Sequence, residues 1–252
     1  MSTHISRTSA VLAAIAGIGL SAPAFAAPLV ITACTTLAQP GSYVVGNNLV
    51  AAGSDCLVVA NDFITIDLNG FLISGAKAGS GVTALRNVAF RGTTVRNGTI
   101  TGFVQAIMLP SSAGVTVERI NATANSFDGI VAGDSATVRD SVAIGNGNMG
   151  IRLGQRSLVT GSTADDNAFN GIFVGIGGNI LGNTVGHNKG SGIVTVEGAN
   201  IVNNVSRNNS ADGIVTDCPS AVVANTTSNN LGQNLNVIGG VGCIVNEHNS
   251  TI

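Results

Sequence analysis

Hydrophobic and polar positions recur at one spacing through the second half of the chain. The stretches "NSFDGIVAGD", "NGNMGIRLG", "NAFNGIFVG", "NKGSGIVTV" and "NSADGIVTD" each set an Asn four residues before a Gly-Ile pair. The glycines are Gly129, Gly150, Gly171, Gly192 and Gly213, so every step is 21 residues, and a sixth falls on Asn234-Leu235, a degraded copy. Asn125, Asn146, Asn167, Asn188, Asn209 and Asn230 form one column. Ile130, Ile151, Ile172, Ile193, Ile214 and Leu235 form another, one residue after the Gly. Ala132, Leu153, Val174, Thr195, Thr216 and Val237 follow three after it, and Val117, Val138, Val159, Ile180, Ile201 and Val222 stand twelve before it.

A period near 20 with β-branched residues in fixed columns predicts a solenoid. The unit is too short for a helix pair, and its apolar positions alternate as strands do. Equivalent residues of successive coils then stack about 4.8 Å apart, and the apolar columns become inward ladders. The Asn column is predicted to lie at a sharp turn. Its amides hydrogen-bond from coil to coil, and Asn tolerates the left-handed backbone that such turns need.

Composition agrees. The chain has 252 residues, Gly 34, no Trp, one Tyr and 10% charged residues, which favours β structure and turns over helix. Lys plus Arg number 11 against 13 Asp plus Glu, so no basic excess draws nucleic acid. Residues 1–26 read as a secretory signal. Arg7 and His4 precede an apolar run, Ala10 to Leu20, too short to span a bilayer, and Ala24-Phe25-Ala26 offers a cleavage site. The expected product is secreted or periplasmic, with no membrane span left after cleavage.

Cys34, Cys56, Cys218 and Cys243 all lie beyond that segment, where export makes disulfides available. Four cysteines allow three connectivities. Spacing favours Cys34–Cys56 and Cys218–Cys243, each closing a local loop near one end. None has C-x-x-C spacing, which argues against zinc or redox chemistry.

With its Asn column, G-I steps and one strand-rich coil per 21 residues, the sequence resembles the right-handed parallel β-helix proteins of the pectate-lyase-like superfamily. "ITIDLNGFLISG" (Ile64 to Gly75), "VRNGTITGFVQAI" (Val95 to Ile107) and "CTTLAQPGSYVVGNNL" (Cys34 to Leu49) are similar to segments of secreted bacterial members. The resemblance covers about residues 30–245 and implies an all-β, single-stranded right-handed parallel β-helix with an internal Asn ladder. The expected organisation is a signal at 1–26 and one β-helix domain at 27–252. Within that domain, 27–60 covers the first coil, 61–237 forms the coils and 238–252 covers the last.

The superfamily hosts many activities, so the resemblance does not carry a reaction with it. The N-T-D, G-H-G and R-I-K motifs of polygalacturonases and the Y-G-x-D-P-H type of alginate epimerases are absent. No family catalytic residue maps onto this chain. The columns still bring one set of reactive groups together. Asp166 and His187 are predicted neighbours one coil apart, flanked by Asp165 and Arg207, with Lys189 two residues beyond the His. An Asp there would orient His187 as a general base, and a cation would hold a carboxylate. The competing reading is a solvated, mutually paired turn. Glu118 over Arg139 and Arg119 over Asp140 are expected as exposed inter-coil pairs. Asp128, Asp134, Asp212 and Asp217 are too scattered for a calcium site, so neither metal nor cofactor is expected. Val131, Arg152, Phe173, Val194, Val215 and Asn236 form an outward, largely apolar column.

Two functions follow. One is a non-catalytic β-helix that binds a polysaccharide or builds an envelope or extracellular assembly. The other is a lyase, hydrolase or epimerase with an atypical site at Asp165, Asp166, His187, Lys189 and Arg207. Against the second, the equal 21-residue steps leave no inserted loop to wall a groove.

Overall fold

The computed structural model describes residues 27–85, 88–239, 241–245 and 250–251. The leader expected at 1–26 lies outside the described residues. Each 21-residue coil contains three short strands separated by three corners. The coil of Gly150 shows the plan, with strands Ile151–Leu153, Leu158–Thr160 and Thr163–Asp165. Through the repeat the strands pair in parallel with their counterparts 21 residues on, as in Ile151↔Ile172 and Val159↔Ile180, and nearer the N-terminus the coils are longer, as in Leu57↔Val82.

The tube has three faces. Face one is a ten-stranded parallel sheet running from Thr35–Leu37 to Leu235–Ile238. Faces two and three are the successive strands of a 19-stranded sheet. They fuse where Thr94–Thr101 and Thr116–Thr123 run as single eight-residue strands across the corner. Both disulfides form as the spacing favours, Cys34–Cys56 and Cys218–Cys243, and each ties one coil to the next. Cys34 and Cys56 sit directly before the paired residues Thr35 and Leu57, so the bridge extends the strand register.

Backbone conformation makes the corners. The first is turned by Ser135, Arg156, Gly177 and Gly198, the second by Asp140, Gly161, Gly182, Asn203 and Ala224, and the third by Gly145, Asp166, His187, Asn208 and Asn229. All have φ between 50° and 75°. Such values are strained for a residue with a Cβ, and the chain repeats them coil after coil because the packing of neighbouring coils fixes them.

The core fills the tube. Ile130, Ile151, Ile172, Ile193 and Ile214 are fully buried, as are Val117, Val138, Val159, Ile180, Ile201 and Val222. Each such side chain contributes about 1.5–3 kcal/mol of burial. At the third corner the amides of Asn125, Asn146, Asn167, Asn188 and Asn209 each donate to the next Asn Oδ1 at 2.9–3.0 Å. The same oxygens accept the backbone N–H of the preceding Asn, for instance Asn146 N to Asn167 Oδ1 at 3.1 Å. This ladder also explains the repeated Gly. A Cβ on Gly150 would stand 2.8 Å from Asn167 Nδ2 and 2.7 Å from the Gly171 carbonyl.

A second ladder runs along the second corner, where sequence reading found none. Ser162 N donates to Asn183 Oδ1 at 2.9 Å, and Asn183 and Asn204 pass amide bonds to Asn204 and Asn225 at 3.0 and 2.9 Å.

Candidate functional site

The expected reactive cluster lies at the end of face three, where strands Thr163–Asp165, Thr184–Gly186 and Val205–Arg207 meet the third corner. Asp165, Gly186 and Arg207 stack in register. Gly186 leaves a gap in that column, and Asp165 leans over it. A Cβ there would lie 3.1 Å from Asp165 Oδ1. The carboxylate thereby reaches His187 Nδ1 at 2.9 Å. The imidazole therefore pairs with Asp165, while Asp166, expected beside it, only shares its left-handed corner. The other ring nitrogen, Nε2, lies 3.2 Å from Asn208 Nδ2. With hydrogen on Nδ1, His187 donates to Asp165 and accepts from Asn208, so both nitrogens are engaged. The ring remains 54% exposed.

The cations stand apart from this dyad. Among the described residues neither Arg207 nor Lys189 has a carboxylate within 4 Å. Lys189 lies past the ladder, where its backbone N–H donates to Asn167 O at 2.9 Å. No group of three metal-binding side chains occurs among the described residues.

The expected crossed charge pairs form only in part. Glu118 is 4% exposed and accepts from both Arg119 and Arg139. Arg119 does not reach Asp140. It is itself a left-handed corner residue (φ 50°), and its Nε donates to Asn97 Oδ1 at 2.7 Å. This network continues to Asp67, which holds Arg96 Nε at 2.9 Å and accepts from Asn97 and from the N–H of Asn69. Burial pushes the Asp67 carboxyl up, but those donors and the Arg96 charge outweigh it and leave it below the ordinary 3.8.

Face one carries features that sequence reading did not find. A groove of about 470 Å³ lies over strands Ser80–Ala84 and Gln105–Leu109, lined by Ser80, Thr83, Val104, Gln105, Met108 and Pro110 among others. In line with Met108, the next residues along the axis are Val131, Arg152 and Phe173. Val131 was expected to be exposed but is 2% accessible. Arg152 reaches down to Asp128, with Nη2 3.2 Å from Oδ2, and Asp128 is fully buried. Asp128 Oδ1 also accepts from Asn148 Nδ2 at 2.6 Å and from Met149 N at 3.1 Å. At the rim, Phe127, Asn148 and Phe169 stack one per coil through backbone bonds of 3.0 Å, and both rings are over 40% exposed. The signal in the sequence was a break in each column, a charge among valines and a ring in alternate coils.

Residues 37–184, more than half of the chain, match the family described as "right handed beta helix region". The chain belongs to that family. The handedness of the β-helix is thereby given. Among solved structures, the β-helix is similar to the A-module of mannuronan C-5 epimerase AlgE6 from Azotobacter vinelandii. The two share 16% identity at a TM-score of 0.62, over 79% of this chain and 72% of that one. The AlgE4 A-module from the same organism is 17% identical at a TM-score of 0.59, over 76% and 70%. A double mutant of the periplasmic alginate epimerase AlgG is 13% identical at 0.56, over 84% and 70%. At such identities the likeness is one of fold. No curated protein matches the chain at the sequence level.

Proposed function

We propose that the protein is an exported, non-catalytic β-helix that binds a polysaccharide along face one. The observation that carries this reading is the groove of about 470 Å³ on that face, which mixes apolar walls with Ser80, Thr83 and Gln105. Such a lining suits a chain of hydroxyls and C–H faces. The equal 21-residue steps from Gly129 to Gly213 support it by contrast, since they leave no inserted loop to wall a groove over His187 on face three. Two disulfides suit an oxidising compartment, in keeping with a leader cleaved near Ala26.

The second reading is a polysaccharide lyase, hydrolase or epimerase acting at Asp165, Asp166, His187, Lys189 and Arg207. The 2.9 Å Asp165–His187 contact favours it, as does the fold shared with alginate epimerases. One panel separates the two. The purified chain is incubated with mannuronan, polygalacturonate and neutral glucans. Binding is followed by calorimetry, and chemistry by reducing ends, unsaturated-uronate absorbance and the NMR spectrum of the uronate units. Binding without product supports the first reading. Product that disappears in a folded His187→Ala variant replaces it with the second.

A further inference from the structure

Beyond the groove, we propose that Arg152, with Phe127 and Phe169 exposed on the rim next to its partner Asp128, forms a subsite for the anionic group of a charged glycan. This rests on the glycan-binding reading and names the chemistry that it would select.

The argument begins with what the turn requires. In alternate coils the residue before the repeat Gly uses a side-chain oxygen to accept a backbone N–H one coil on. Asn170 does so for Ser191 at 2.9 Å, and Asp212 for Gln233 at 2.6 Å. Asp128 does the same for Met149. A neutral amide therefore suffices at this position. Where an Asp is used again, at Asp212, its second oxygen is satisfied by the Asn236 amide at 2.9 Å, in the column of Arg152. Neither the turn nor the carboxylate needs a guanidinium.

The adjacent coils of Asp128 and Arg152 nonetheless hold a fully buried carboxylate under an arginine, in a column that elsewhere carries Val131, Phe173, Val194, Val215 and, at its end, Asn236. That arrangement is a costly one. Arg152 Nε is buried without a partner, and Asp128 Oδ2 has no hydrogen bond of good geometry. What it achieves is a guanidinium fixed from beneath through one nitrogen. The side chain stays 38% exposed, and Nη1 has no protein acceptor among the described residues. A fixed, partly desolvated guanidinium with open donors is suited to a carboxylate or sulfate.

The surroundings fit a sugar polymer. Phe127 and Phe169 are exposed and stand two coils apart, roughly 9.6 Å along the axis. Asn148 separates them and also holds Asp128. Two exposed rings on that rim offer stacking faces to sugars next to the charged unit. The groove at Met108 continues the same line toward the N-terminal end.

The test uses the whole chain and calorimetric titration with polygalacturonate, dextran sulfate and unmodified dextran. Arg152→Met alone strands the buried Asp128, so the principal variant is Asp128→Asn/Arg152→Val. Both of its new residues already occur in the same columns, at Asn170 and at Val131. The expected result is binding of a charged polymer over dextran, weakened about ten- to hundred-fold in the double variant at a melting temperature equal to or above that of wild type. Polygalacturonate and dextran sulfate distinguish a uronate ligand from a sulfate ester. Phe127→Ala/Phe169→Ala is expected to weaken the same binding. Retained affinity in the double variant, or equal binding of dextran, overturns the anionic subsite and leaves the glycan-binding reading standing. A wild-type chain that binds none of these polymers or those of the wider panel overturns both.

Discussion

The Asn ladder gives the sharpest stability prediction, because its bonds can be counted at one residue. Asn167 is fully buried. Its Nδ2 donates to Asn188 Oδ1 and to Ala143 O, both at 3.0 Å. Its Oδ1 accepts Asn146 Nδ2 at 3.0 Å and Asn146 N at 3.1 Å. Asn167→Ala removes all four. At a net 0.5–1.5 kcal/mol per bond, with the buried Asn146 N–H left unpaired, the expected loss is about 3–5 kcal/mol. Asn167→Asp is expected to lose a comparable amount. Its retained oxygen still accepts from Asn146, but a second oxygen then faces Asn188 Oδ1 and Ala143 O, with no donor between them.

Asn230 supplies the comparison. It closes the ladder in a part-buried setting, where Nδ2 turns to Asn234 Oδ1 at 2.9 Å. Water can replace lost partners there, so Asn230→Ala is expected to lose less than half as much. The assay is urea unfolding followed by circular dichroism, with both midpoint and slope compared. A solenoid can unfold from one end, and a changed slope would report that. A loss below about 1 kcal/mol at Asn167, or equal losses at the two sites, would refute the claim that buried amide stacking stabilises the coils.

Other expectations follow from the same geometry. Cys34→Ser/Cys56→Ser should lower stability by about 3 kcal/mol, read as a lower melting temperature, because the bridge closes a loop between residues 22 apart. Ala224→Gly should raise stability by up to about 1 kcal/mol in the same melt, since Ala224 holds φ 54° in a corner that Gly161 and Gly182 turn elsewhere. Asp67 is held below its ordinary 3.8, so its contribution is present above that pH and disappears as pH falls through the lower folded value. The melting difference between wild type and Asp67→Asn should therefore be full near neutrality and shrink below pH 3.8.

Much of the fold could be read from spacing, because in a parallel coil a 21-residue period translates directly into neighbours. The Ile130 and Val117 columns were assigned inward from alternation, and both are buried. The third-corner ladder was readable because its residue type never changes. The second-corner ladder was not, since its column passes from Ser141 and Ser162 to Asn183, Asn204 and Asn225. Serine and asparagine fill the same role there, so identity hides what geometry keeps. Columns also fix only where a Cα stands. They placed His187 over Asp166, but the vacancy at Gly186 let Asp165 lean across and take the imidazole. They paired Arg119 with Asp140, but the left-handed backbone of Arg119 turned it to Glu118 and Asn97.

The same logic indicates where chemistry should be sought in a repeating chain. Each coil is a control for its neighbours, so a residue that the fold requires returns at every step. His187 replaces Asp166 and Asn208 at a corner that tolerates any of them, and its ring lies in solvent with both nitrogens engaged. It breaks the pattern at little cost to the protein. Arg152 breaks the pattern at a place where the fold bears a cost, with a buried carboxylate beneath it and a stranded Nε. Two coils on, the same turn is made with the amide of Asn170 and a valine, Val194, in the column of Arg152. A departure that is both costly and structurally unnecessary is better explained by a ligand than by packing. That reasoning places the expected ligand contact on face one, away from the only histidine among the described residues.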